Sequence, residues 1–256
     1  MNADRRVTRR ALLTVAATAG LSVSCGSIAR ARPPWVALTW DGPWRSLLDN
    51  GLPLFEQHRI HATVYAITGR LGGRLPGVTH DRFCTADELA RFGSAGWEVS
   101  SHTVTHPDLT TVSEARLTDE IRTAKRDLEA LGYDVPGFAY PYFRWNPVVR
   151  RQVARSYAYA RAGGGSSLPR IRSLGVRYAL PARLAPAKAT ALIAYTRACC
   201  YDRGDDLIWV AHHVDDPRVS AGPRAALAGY LSWLAGERDA GRLRVGPAWG
   251  LVEAQP

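Results

Sequence analysis

Cysteine is scarce: four residues in 256, none in a CxxC spacing. A cysteine-built zinc site is therefore excluded, and Cys84, Cys199 and Cys200 in the body of the chain allow at most one disulfide. Buried free thiols are the other reading of the three. Internal repeats and low-complexity tracts are also lacking, which leaves no basis for a solenoid or a linker-joined array. Beyond the N-terminal region no stretch is apolar enough to span a bilayer. Basic residues are plentiful, yet no lysine-arginine run exceeds pairs such as Arg150-Arg151. Without a basic stripe, nucleic acid is not an expected partner.

What is present is an ordinary globular balance, 46% hydrophobic and 22% charged, at a length that suits one sizeable α/β domain. Half of the formal net charge of +10 sits in residues 1–32, where six arginines face only Asp4. Arg9-Arg10 precede an apolar stretch running from Ala11 to Val23. A basic segment followed by so short an apolar run reads as a cleavable export signal, and the adjacent arginines resemble a twin-arginine signal. The run Leu21–Gly26 also resembles a lipoprotein box, with Cys25 as the residue that would carry lipid. The expected organisation is an export signal over 1–32 and one domain over 33–256. The product would be exported, either secreted or lipid-anchored at Cys25 on the outer face of the cytoplasmic membrane.

After Pro33-Pro34, strands and helices alternate. Short strands are predicted at Val36–Thr39, Ala62–Ile67, Trp97–Ser100, Phe138–Tyr140, Tyr157–Arg161, Ile171–Val176 and Leu207–Ala211. Helices are predicted at Ser46–His58, at Ala86–Ser94 behind the capping-box pair Thr85 and Glu88, and at Ala187–Cys199 and Pro223–Ala235. Thr111 and Glu114 read as the opening of a long amphipathic helix with Leu117, Ile121, Ala124, Leu128 and Leu131 on one face. Asn146-Pro147 starts another helix. Repeated β-then-α units imply parallel strands, with function gathered at their carboxyl ends.

Four polar clusters follow apolar strand runs: Thr39–Pro43, Ser101–Pro107, Ala139–Tyr142 and Ala211–Asp216. His102 and His106, four residues apart on a turn stopped by Pro107, can converge on one divalent ion. Asp41, at another strand end, supplies a carboxylate of the kind a hydrolytic site needs as base.

These motifs resemble the polysaccharide deacetylase family, the NodB-homology proteins of carbohydrate esterase family 4. Thr39–Pro43 is similar to the family's T-F-D-D-G motif. His102-Thr103-Val104-Thr105-His106-Pro107-Asp108-Leu109 matches its H-T-x-x-H-P-x-L, and Ile208–His212 is similar to its final strand and histidine. The resemblance spans roughly Trp35 to Ala235. It implies a single-domain α/β fold, a distorted (β/α)7 barrel, with hydrolysis of N-acetyl or O-acetyl groups on a carbohydrate polymer. It further implies Asp41 as general base, His212 as general acid, and His102 and His106 as ligands of one divalent ion, zinc first and cobalt or nickel as alternatives. The partner would be a glycan containing N-acetylglucosamine, bound by a monomer. Trp44, Tyr142 and Trp145 would flank the groove and stack on sugar rings.

Two departures accompany the resemblance. Gly42 stands where the family has its metal-binding aspartate, leaving three outcomes: two histidines completed by water or substrate, Asp41 itself as ligand, or no functional metal. Such a site would also suit a carbohydrate-binding relative with impaired catalysis. Ala139 stands where the family carries an arginine that orients the base, and Arg144, Arg170 and Arg172 are the candidates to replace it. His213 competes with His212 for the acid role.

Overall fold

The chain is described by a computed structural model over residues 32–163, 177–214 and 223–254. The strands are β1 (Trp35–Asp41), β2 (Thr63–Ala66), β3 (Glu98–Ser101), β4 (Gly137–Ala139), β5 (Tyr159–Arg161), β6 (Arg183–Leu184), β7 (Leu207–Ala211) and β8 (Arg244–Gly246). All paired named strands run parallel, in the order β5-β4-β3-β2-β1-β7-β6, while β8 pairs with the first half of β1. The helices are α1 (Leu52–His58), α2 (Ala86–Ser94), α3 (Glu114–Ala130), α4 (Pro147–Ala154), α5 (Ala189–Arg197), α6 (Pro223–Asp239) and α7 (Ala248–Glu253).

The sheet is a curled half-barrel. The expected (β/α)7 barrel is met as an α/β fold with this curled parallel sheet, whose end strands β5 and β6 are not paired with each other among the described residues. The chain between them includes 164–176, outside the described residues, and the strand expected at Ile171–Val176 falls there, as does the N-terminal signal with Cys25. No described helix is long and apolar enough to cross a membrane. Pro33–Pro256 forms one compact unit.

Local sequence explains the helices that position the site. Thr85 accepts from the Glu88 N–H while Glu88 accepts from the Thr85 N–H, so α2 begins where the capping box predicts. Asn146 accepts from the Val148 and Val149 amides and starts α4. The start expected at Thr111 is corrected: Ser113 caps α3, and the Thr111 hydroxyl donates to the Asp108 carbonyl instead. Leu117, Ile121, Ala124 and Leu128 are buried as expected, but Leu131 lies past the helix end and is exposed. The segment expected as one helix over Ser46–His58 is a wide helical turn, Leu47–Gly51, followed by α1.

Strand alternation divides the interior in two. Val36, Leu38, Trp40, Val64 and Val99 face the helices in the larger core. Ala37, Tyr65, Ala139, Tyr159, Ile208 and Val210 face inward, joined by Ala248, Leu251 and Val252 of α7. Polar residues share the inner face. The Glu98 carboxylate accepts from Thr63 Oγ1 (3.0 Å), Ser100 Oγ (2.7 Å), Tyr159 OH (2.5 Å) and the Trp249 amide at the start of α7 (2.8 Å). Tyr159 OH lies 2.8 Å from Tyr65 OH, so one hydrogen-bonded column climbs from Glu98 toward the strand ends.

A Glu98→Ala variant strands several buried donors at once. Since one stranded donor costs roughly 1–3 kcal/mol, a loss of at least ~2 kcal/mol in urea denaturation is expected. A loss below ~0.5 kcal/mol would show that the column carries no stability.

Candidate active site

Asp41 ends β1 and is buried, 7% exposed. Arg161, at the end of β5 and fully buried, donates from Nη2 to Asp41 Oδ1. Its guanidinium carbon lies 5.1 Å from the Tyr65 ring centre and 5.4 Å from that of Phe143. Among the described residues its Nε and Nη1 find no hydrogen-bond acceptor, so these aromatic faces are its other surroundings. Arg161 is the arginine that the sequence left unassigned. Arg144 pairs with Asp108 at 2.7 Å instead, and Arg170 and Arg172 lie outside the described residues. Its signal was faint: one arginine closing a weakly predicted strand. In the parallel register Ala139 is the cross-strand partner of Arg161, so the guanidinium comes from the strand next to the expected one.

His102 follows β3, buried, with Nδ1–H donating to the Ala139 carbonyl at 2.8 Å. That bond leaves the Nε2 lone pair facing Asp41 Oδ2 across 3.9 Å. On the other side His212, just after β7, brings its Nε2 to 4.0 Å from the same oxygen. The His106 ring centre lies 4.7 Å from that of His102, and Tyr142 stacks edge-on against His106 at 4.6 Å. Asp41, His102, His106, His212, Tyr142 and Phe143, with Ile67 and Leu75, line a cavity of about 260 Å³.

The loops reach this geometry under backbone constraint. Four of the five non-glycine residues with positive φ among the described residues lie in them: Thr103 (72°), His106 (66°), Tyr142 (54°) and Phe143 (59°). Such conformations persist only where surroundings over-determine them. Buried Glu120, from α3, accepts from the Val104 and Thr105 amides at 3.0 and 2.8 Å, and Thr103 Oγ1 accepts from the His106 amide at 2.9 Å.

Electrostatics sort the groups into roles. Burial works to raise the Asp41 pKa, but Arg161, with His102 and His212, outweighs it and holds the carboxyl below its ordinary value. Burial pushes the His102 pKa down to about 3, against Asp41. His106 and His212 are lowered too, burial again being the main cause. Near neutral pH the cavity therefore holds an anionic carboxylate and neutral imidazoles.

Two expectations are corrected. Trp44 does not flank a groove: it is 1% exposed, packed on Phe83 and His213 at 4.1 Å each, with Nε1–H donating to the Asp41 carbonyl. Indole burial behind the strand end is favoured because its one polar atom finds that acceptor. His213 does not compete for the cavity. Its Nδ1 bonds Asp81 Oδ2 at 3.1 Å, and Asp81 in turn accepts from Ser46 Oγ at 2.6 Å. Tyr142 (58% exposed) stands at the rim, whereas Trp145 (38%) is stacked on Tyr140 nearby. Cys84, Cys199 and Cys200 are all free and buried, so no disulfide joins them.

The polysaccharide deacetylase family model matches residues 29–162, more than half of the chain. The chain belongs to the polysaccharide deacetylase family. A chitooligosaccharide deacetylase of Bradyrhizobium sp. (strain ANU 289) is 33% identical over 96 residues, 37% of this chain and 39% of that relative, so the match spans about two fifths of the relative's length. Two solved structures share the fold. A family 4 carbohydrate esterase from Streptomyces lividans, in complex with acetate, gives a TM-score of 0.56 at 20% identity, over 84% of this chain and 93% of that one. The Xyl-CE4 domain of a multidomain xylanase from the hindgut metagenome of Trinervitermes trinervoides gives 0.58 at 18% identity, over 87% and 91%.

Against the family's metal site the donor set falls short. Among the described residues no group of three or more His, Cys, Asp or Glu side chains is arranged to hold a metal ion. Catalytic zinc takes three protein ligands as a rule, and here the histidines lie beside a carboxylate whose Oδ1 is taken by Arg161, while Gly42 offers no side chain. The residues present do not fit the expected ion.

Arg161→Met leaves a buried, unpaired carboxylate and is expected to cost about 3–5 kcal/mol near neutral pH. Asp41→Asn with Arg161→Met removes both charges and should cost less than Arg161→Met alone. Because the folded Asp41 pKa is lowered, the pair stabilises above the ordinary carboxylate pKa, and that contribution is lost as pH falls through the folded value. Denaturation from pH 7 to pH 3 checks this; a wild-type advantage that grows in acid would refute it.

Proposed function

We propose that this deacetylase-family chain hydrolyses acetyl groups on a carbohydrate, in first place N-acetyl groups of a polymer containing N-acetylglucosamine. The observation that carries this reading is one carboxylate oxygen, Asp41 Oδ2, with His102 Nε2 at 3.9 Å and His212 Nε2 at 4.0 Å, lining a small cavity. Those separations exceed a direct hydrogen bond and suit a water bridging the groups.

In this mechanism Asp41, held ionised and oriented by Arg161, accepts a proton from the attacking water. His102, fixed by the Ala139 carbonyl, presents an acceptor that aligns the same water. Ile67 and Leu75 offer an apolar wall for the acetyl methyl group. A backbone N–H near Tyr142 donates to the oxyanion. His212 takes up a proton and delivers it to the departing amine. Tyr142 and Trp145 stack on the sugar outside the cavity. Zinc, the ion expected from the resemblance, finds no fitting donor set among the described residues, and no step here passes through it. The reaction lies outside the cytoplasmic membrane, where the signal read at residues 1–32 directs the chain. The loss of a side chain at Gly42 favours a second reading, a carbohydrate-binding relative with impaired catalysis.

Acetate release from N-acetylglucosamine oligomers separates the two. Asp41→Asn and His212→Ala are each expected to lower kcat by about 10²–10⁴-fold with little change in glycan affinity. Wild-type glycan binding that Tyr142→Ala weakens, with no acetate released on any acetylated glycan offered, would establish the binding relative.

The pH profile is a further test. His212 must carry a proton to act as acid, and its pKa lies below the ordinary imidazole value, so kcat/KM should fall as pH rises through that lowered value. The optimum is expected in mildly acidic solution. A rate that keeps rising to pH 9 would remove His212 from the acid role.

A further inference from the structure

The position after Asp41 is more than an absent ligand. Gly42 has a φ of +97°, a backbone conformation that side chains other than glycine rarely adopt. A Cβ built there would overlap the edge of the Phe83 ring and lie 3.0 Å from Trp44 Nε1. Neither neighbour is the free end of a flexible side chain. Phe83 and Trp44 are 0% and 1% exposed, and their ring centres lie 4.1 Å apart. Trp44 and Phe83 also form an antiparallel bridge, and the Cys84 amide donates to the Pro43 carbonyl at 2.7 Å. The His213 ring, anchored by Asp81, also packs against Trp44, at 4.1 Å.

We infer that this chain has given up the resident divalent ion of its family, and that the place of the third ligand has been rebuilt as a closed aromatic wall of Phe83 and Trp44. Two observations meet in this inference. Backbone and packing at Gly42 exclude a side-chain ligand, and one oxygen of the neighbouring carboxylate, Oδ1, is taken by a buried guanidinium. His102, His106 and His212 line the same cavity, yet among the described residues no three His, Cys, Asp or Glu side chains are arranged to hold an ion, short of the three-ligand sites that hold catalytic zinc. The inference holds whether or not the chain hydrolyses acetyl groups, since its test reads metal and not acetate.

The experiment is titration of the full-length purified protein with Zn²⁺ and Co²⁺ by calorimetry, together with elemental analysis of protein grown in zinc-supplemented medium. His102→Ala is the control. The wild type is expected to carry well under one zinc per chain and to show no one-to-one isotherm that the control abolishes. A stoichiometric isotherm lost in His102→Ala would overturn the inference, because His102, His106 and Asp41 would then hold an ion without a ligand at position 42. A second variant tests the wall: Gly42→Asp with Phe83→Ala is expected to gain metal binding that Gly42→Asp alone does not. Binding by Gly42→Asp alone would show that the wall excludes nothing, and a folded double variant that gains none would show that the wall is not what bars the ligand. Should the double variant not fold, the wild-type titration decides the matter.

Discussion

A buried ion pair across the mouth of the half-barrel, Asp41 on β1 and Arg161 on β5, is the constraint around which the site is organised. Burying two charges is costly unless each answers the other, and an isolated carboxylate at this depth would take up a proton instead. The pair requires that β1 and β5 be brought together although three strands separate them in the sheet order. Curling of the sheet meets that requirement. The Tyr65 and Phe143 rings then supply π faces beside the buried guanidinium.

Several of the remaining site residues are held by partners outside the cavity. Glu120 gathers the strained turn that carries His102 and His106 by accepting from two of its backbone amides. Asp81 anchors His213 and with it the chain immediately after His212. Ala139, small enough to leave room for the guanidinium beside it, contributes its carbonyl to fix the His102 ring. The outcome is a set of short loops set rigidly on strand ends, with neutral imidazoles facing one anionic oxygen. Such an arrangement suits proton transfer more readily than charge binding.

Much of this was legible in the chain beforehand, because local signals have local causes. The reciprocal bonds of Thr85 and Glu88 start α2 where the residue spacing placed it, and β7 spans the Leu207–Ala211 run of apolar residues. His102, His106, Asp41 and His212 follow strand runs and do meet in one cavity. Arg161 carries no such signal, because a strand-terminal arginine looks the same in sequence whether it points to water or inward. Sequence alone does not separate the two fates of Trp44, because an indole beside a strand end can stack on sugar or on Phe83 equally well. The short β8 and α7 carry too little periodicity to be recognised, although α7 closes the inner core.

The sequence by itself determined the alternation of strands and helices, the strand-end placement of one carboxylate and three histidines, and the absence of a side chain at Gly42. These follow from hydrophobic period, capping chemistry and residue identity, all of which act within a few residues. Only the tertiary structure decided which arginine meets Asp41, which of two adjacent histidines faces the cavity, and that the space beside Gly42 is filled by Phe83 and Trp44. Those outcomes depend on register and curl between strands distant in the chain, where a burial energy shared by many residues selects the partner and no single residue encodes it.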